Sequence, residues 1–344
     1  MSSTEKPLKI LIIRLLNLAD VAAIGVPALR YFKQQNPSAE FTFLTFSQGA
    51  EVIQLAEPDC RVMQLARDQW PEDFIPAMEA FLGLAEQIVG EAYDQIINLD
   101  TSFMACFLTR FLKDAGERAM GNYLSISVQE LIEQFQKQAL KPEYVNQPSA
   151  YLESTFSAMH KWFTPWWEAE YLPNEGYPEH FLVTCCGFDR LQMNMSIPVT
   201  ADKKLTQAGQ GKKTIALAGN ALPNYPHMQV VKKRLLELGY QVWSEPFTDM
   251  PIKEKLEKLA ACDLLITPPS ELLWLAKTVN CKVLLISGAT QPQMIMPDFA
   301  TDPTGECAAC LSQLTGQSPV SPCNCISADE IMKCVDEIFT KHDG

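Results

Sequence analysis

The apolar positions of this chain fall into short continuous runs, each followed by a stretch where they recur at helical spacing. Residues 10–15 (ILIIRL) form the first run, rich in the β-branched residues of a strand buried on both faces. A short turn delivers one acid, Asp20, and helical spacing then holds over 21–29, with Pro27 as an interruption. Strands are expected at 40–46, 61–65 and 95–99, and helices at 50–56, 74–92 and 102–112. Helical patterns also cover 129–140 and 151–167. Between 166 and 211 the pattern dissolves into Pro, Gly, Asn and Lys clusters, more aromatic than a plain linker. Alternation resumes with strands at 214–218, 240–244, 263–267 and 282–287 and helices at 228–238, 252–261, 270–278 and 328–341.

Strand–helix alternation of this kind predicts parallel, doubly wound sheets. The expected fold class is therefore α/β, with two Rossmann-like domains. The expected boundaries are 1–165 for the first, 166–211 for a connecting region and 212–344 for the second.

Composition narrows the function classes. The 344 residues are 47% hydrophobic and 20% charged, which supports sizeable cores rather than disorder. A net charge of −13 argues against nucleic acid as a partner, because that binding needs Lys and Arg on the phosphates. It leaves room for a nucleotide, which needs only a local site. No Arg/Lys-flanked apolar leader opens the sequence, and Arg14, Asp20, Glu271 and Lys277 break the longest apolar stretches. A cytoplasmic protein without a signal peptide or a transmembrane segment is expected.

Several chemistries lack their motifs. No G-x-G-x-x-G follows a strand, and no G-x-S-x-G occurs. The four histidines form no H-x-x-x-H pair, and the absence of D-x-D removes the usual carboxylate ligands of a metal-held diphosphate.

Two features carry chemistry. Asp20 stands where the first strand hands over to the first helix, and ligands of open α/β sheets bind at carboxyl ends of strands. Two roles are open to it: an acid or base of a reaction, or the N-cap that Asp often provides. The second feature is Cys307, Cys310, Cys323 and Cys325, spaced C-x2-C-x12-C-x-C around a Pro/Gly/Ser-rich loop. Paired thiols in a reducing compartment suit a tetrahedral structural Zn or Fe site, and free thiols are the alternative. Trp162, Trp166 and Trp167 cluster in sequence, for helix packing or an acceptor surface.

The opening Ile13-Arg14 … Asp20-Val21 followed by Pro27-Ala28-Leu29 resembles that of glycosyltransferase family nine, the ADP-heptose:lipopolysaccharide heptosyltransferases. There it reads roughly I-R-x-x-x-x-G-D-V and then P-A-L. The segment from Tyr93-Asp94 to Asn98-Leu99 resembles the family's Y-D-x-x-I-D-L strand. The resemblance implies a GT-B arrangement, with two domains facing a cleft. It implies an inverting glycosyltransferase that needs no catalytic metal and has Asp20 as general base. The donor would be a nucleotide sugar, ADP-heptose by resemblance, and the acceptor a glycolipid or surface glycan at the cytoplasmic face of the inner membrane.

Donor contacts would come from Gly219, Asn220, Thr267, Ser270 and Glu271. In that half the chain departs from the pattern. The family's K-x-W-P-like segment corresponds to Pro223-Asn224-Tyr225-Pro226, and D-[ST]-G-x-x-H-L-A to Pro269-Ser270-Glu271 … Trp274-Leu275-Ala276. A non-catalytic binding or assembly protein with a degenerate donor site is the alternative.

Overall fold

The computed structural model describes residues 6–16, 18–66, 74–209, 211–218, 225–244, 247, 250–304 and 325–340. The chain divides into two units, Met1–Trp166 with Pro178–Asn194, and Trp167–Tyr177 with Met195–Gly344. The stretch 166–211 thus leaves the first unit after Trp166, returns at Pro178 and departs again after Asn194.

In the first unit, β1 (Lys9–Ile13) lies between β2 (Glu40–Phe46) and β4 (Gln95–Asn98), with β3 (Arg61–Leu65) beyond β2 and β5 (Ala119–Leu124) beyond β4. These five strands are parallel, and a sixth, β6 (Leu152–Ser154), pairs antiparallel with β5. Both faces are covered. Leu11, Ile13, Phe81, Ile88, Phe107 and Leu112 fill one side, while Ile10, Ile12, Ile24, Leu29 and Phe43 are buried beyond it. That double burial is why the central strands β1 and β4 read as continuous apolar runs rather than alternating ones.

Asp94, one residue before β4, accepts the Lys9 backbone N–H at 2.8 Å and aligns the start of β1 with it. Gly121 of β5 has φ +94°, and a Cβ there would stand 2.1 Å from the Asn98 carbonyl, so only glycine fits beside β4.

The first helix differs from expectation. A short helix, α1 (Leu18–Asp20), runs into a π-helical turn (Val21–Gly25) and then into α2 (Val26–Gln35). Pro27 donates no N–H and its ring crowds the carbonyl four residues back. The widened turn before it, with Val26 N–H on the Val21 carbonyl, accommodates that crowding.

The stretch 151–167 is not one helix. Leu152–Ser154 is the edge strand β6, and Met159–Phe163 is a 3-10 turn. The Ser154 hydroxyl accepts the Phe156 N–H, a local bond that competes with helix formation, and Pro165 disfavours helical backbone at Thr164.

In the second unit the sheet runs β11 (Phe299–Ala300), β10 (Lys282–Leu285), β9 (Leu264–Thr267), β7 (Thr214–Leu217), β8 (Gln241–Trp243), all parallel. Counted within the unit this is the flavodoxin-like order, whereas the first unit has the dinucleotide-fold order 3-2-1-4-5. Ile215, Leu217, Leu264, Ile266 and Leu284 meet Val231 and Leu235 of the helix Met228–Glu237 and Ile331 and Val335 of the helix Ala328–Thr340.

Candidate functional site

In an open α/β sheet the crevice at the carboxyl ends opens where strand order reverses. In the first unit that point lies between β1 and β4. Arg14 follows β1, and Leu99 and Asp100 follow β4.

The Arg14 side chain is 0% exposed and that of Asp20 17%. Nη2 donates to Asp20 Oδ1 at 2.9 Å, Nη1 donates to the Leu99 carbonyl, and the guanidinium lies 5.0 Å from the Phe181 ring centroid. A planar fork spans two acceptors in this way where an ammonium could not. Asp20 itself has helical backbone (φ −67°, ψ −36°) and makes no side-chain capping bond. The N-cap role at Val21 is therefore corrected: the helix begins earlier, at Leu18, and the carboxylate pairs with Arg14.

Asp100 is fully buried. Its Oδ2 accepts the backbone N–H groups of Leu15 (2.5 Å) and Leu16 (2.7 Å), and Oδ1 accepts that of Ser102 (2.8 Å). Asn98 Oδ1 accepts the Asp100 N–H, Asn98 donates to the Asn122 carbonyl, and Asn122 donates to the Asp100 carbonyl. Sequence reasoning singled out neither Arg14 nor Asp100 for a site. The available signal was a charge standing directly after an apolar strand in each case.

In the second unit order reverses between β7 and β9, where Ala218 N–H bonds the Ile266 carbonyl at 3.1 Å. Thr267 ends β9, and Ser270 occupies the N-cap position of the helix Glu271–Thr278 with φ −158° and ψ 166°. Its side chain makes no capping bond: the Ser270 hydroxyl meets Thr267 Oγ1 at 2.9 Å instead. Thr267 spends its own proton on the Pro268 carbonyl, so Ser270 is the donor of the pair. Glu271 is partly buried in the first helical turn. Lys277 lies 5.3 Å from the Trp274 ring and pairs with Glu175 at 2.9 Å.

Gly219, Asn220, Pro223 and Asn224 fall outside the described residues, as do Cys307, Cys310 and Cys323; Cys325 is exposed. Among the described residues no group of three or more His, Cys, Asp or Glu is arranged to hold a metal.

A buried Cys–His contact elsewhere in the first unit is not a nucleophilic pair. Cys185 Sγ lies 3.3 Å from His180 Nε2, but burial pushes the thiol up to about 12, and thiolate is the reactive form. Burial likewise keeps Cys106, Cys186 and Cys281 well above the usual thiol range.

The His180 ring stacks on Trp166, centroids 4.6 Å apart, so this tryptophan has a packing role. Burial lowers the His180 pKa, aided by the Lys161 ammonium and opposed by a hydrogen bond to the Lys161 backbone. On acidification the unfolded chain takes up this proton first. The stability from neutral His180 is therefore whole above about pH 6.5 and is lost as the pH falls toward the lower folded value. Unfolding free energies from urea denaturation across that window should show a slope of at most about 1.4 kcal/mol per pH unit from this group, absent in His180→Gln.

No family model matches the chain, and a search of curated proteins finds no match. Solved structures match along nearly its whole length. A glycosyl transferase family 9 protein from Veillonella parvula DSM 2008 aligns at TM-score 0.64 and 12% identity, over 99% of this chain and 100% of that one. The E. coli heptosyltransferase WaaC with ADP aligns at 0.54 and 14%, over 97% and 99%. The iron-containing dodecameric glycosyltransferase TibC from enterotoxigenic E. coli aligns at 0.53 and 12%, over 98% and 77%. At these identities the likeness establishes the fold: two Rossmann-like domains of the GT-B kind, the architecture that the resemblance to family nine implies.

Proposed function

We propose that this chain is an inverting glycosyltransferase that moves a sugar from a nucleoside-diphosphate donor to a hydroxyl of a glycolipid or surface glycan. The observation that carries the reading is Asp20. Its carboxylate is held by a buried guanidinium at the strand-order reversal of the first unit, in a fold shared with glycosyltransferase structures.

In the proposed step, the acceptor oxygen attacks the anomeric carbon while the bond from that carbon to the diphosphate oxygen breaks. Asp20 accepts the acceptor's proton, the nucleoside diphosphate leaves with the bonding electrons, and the anomeric centre inverts. No metal takes part.

Donor contacts are assigned to Gly219, Asn220, Thr267, Ser270 and Glu271. The helix Glu271–Thr278 directs its N-terminal N–H groups and dipole toward negative charge, and Ser270 adds a hydroxyl without capping them. WaaC is a neighbour solved with ADP, which supports a nucleotide donor here. A structural Zn or Fe on Cys307, Cys310, Cys323 and Cys325 belongs to the same proposal, supported by the spacing of the thiols. No described helix is long and apolar enough to cross a membrane, and the reading places the protein at the cytoplasmic membrane face by its acceptor alone.

Glu271 favours the second reading, a binding or assembly protein without transferase activity, because its carboxylate repels a diphosphate arriving at the same helix end. Thermal unfolding against ADP, ADP-heptose and UDP- and GDP-sugars separates the two. A true donor at a hundredfold excess over its Kd should raise the melting temperature by about 5 °C. No shift with any of them would discard the transferase reading.

A further inference from the structure

We propose that Asp100 is the positioning residue that sets where the Asp20 carboxylate points. The inference deepens the glycosyltransferase reading and rests on it for the chemistry. Two routes lead from the end of β4 to Asp20. Along the backbone, the Asp100 carboxylate holds the N–H groups of Leu15 and Leu16, which lie between Arg14 and the helix bearing Asp20. Along the side chains, the carbonyl of Leu99, the residue beside Asp100, holds one arm of the Arg14 guanidinium while the other arm holds Asp20. Asp100 is anchored in turn by Asn98 and Asn122 and has no backbone freedom to spare.

A carboxylate is an expensive way to satisfy backbone N–H groups at a wholly buried position. An amide would satisfy only part of the set: one of its two heavy atoms would be an NH2 facing a backbone donor, either Ser102 or the Leu15–Leu16 pair. Three backbone donors converging on one acidic side chain fix both the turn after β1 and the start of the helix after β4. Displacement of a reacting group by a distant change can cost a large rate factor even when the group itself is intact.

Two variants test this, Asp100→Asn and Asp100→Ala, the first remaining informative if the second fails to fold. Amide exchange of Leu15 and Leu16 and carbodiimide coupling to Asp20 should each rise about tenfold in Asp100→Asn, with Ile97 and Leu44 amides unchanged. With ADP-heptose as donor, kcat should fall about tenfold and KM should stay within about twofold. A rise in exchange spread evenly over β1, β2 and β4 would reduce Asp100 to a general stabiliser and overturn the proposal. So would wild-type exchange and coupling, or a wild-type kcat in a variant whose Asp20 is loosened. If the wild-type protein transfers no sugar from ADP-heptose or any nucleotide sugar, the transferase reading fails. Exchange and coupling then still decide whether Asp100 positions Asp20.

Discussion

Asp20→Ala is expected to lower sugar transfer by about 10²-fold or more, the scale of a lost general base. The same substitution should also lower stability, because it takes the carboxylate from beside a guanidinium that is wholly buried. Breaking a buried pair from one side costs about 3 kcal/mol or more, well above the cost of a lost helix cap. Asp20→Asn separates the two effects. Its amide oxygen can still accept from Arg14 Nη2, so stability should fall by about 1 kcal/mol only. The amide cannot take a proton from an acceptor hydroxyl, so turnover should fall nearly as far as in the alanine variant. Steady-state kinetics beside urea denaturation reads both quantities. Wild-type turnover in either variant would remove Asp20 from the chemistry.

Arg14→Ala should be the more damaging change to the fold, at about 4 kcal/mol. One truncation strips the Leu99 carbonyl of a donor, Asp20 of its cation and the Phe181 ring of the plane above it. Against a total stability of about 5–15 kcal/mol, such a loss populates unfolded protein. Arg14→Lys keeps the charge but offers a point donor in place of a fork, and should lose about 2 kcal/mol. Denaturant midpoints give the ordering: wild type, lysine, then alanine. Equal midpoints for all three would mean that the guanidinium contributes neither pairing nor packing.

What the sequence made legible follows from what burial does to patterns. Strands covered on both faces become apolar runs, so β1, β4, β9 and β10 stand out from their neighbours. Strand order leaves no such trace. Nothing local distinguishes the reversal between β1 and β4 from that between β7 and β9, because pairing joins residues far apart in the chain. Asp20 was legible as a candidate because it stands where an apolar strand hands over, through a short turn, to a helix. Its commitment to Arg14 was not, since an arginine ending an apolar run looks like the edge of the strand. Asp100 was harder still: two of its three donors lie about 85 residues upstream. The segment 151–167 misled because its apolar spacing fits a helix, while Ser154 and Pro165 decide otherwise through a side-chain bond and a restricted backbone.

The return of the chain to the first unit at Pro178–Asn194 has a consequence for synthesis. Residues 1–166 contain every strand of the first sheet, yet they lack Phe181, which underlies Arg14, and His180, which stacks on Trp166. Arg30 also waits for Asn194, whose backbone and side-chain oxygens it holds at 2.9 and 3.0 Å. On the ribosome, the first unit therefore cannot close over its buried arginine when its last strand emerges. It must stay open while Trp167–Tyr177 passes, and it completes itself only with a segment made after the chain has already begun the second unit.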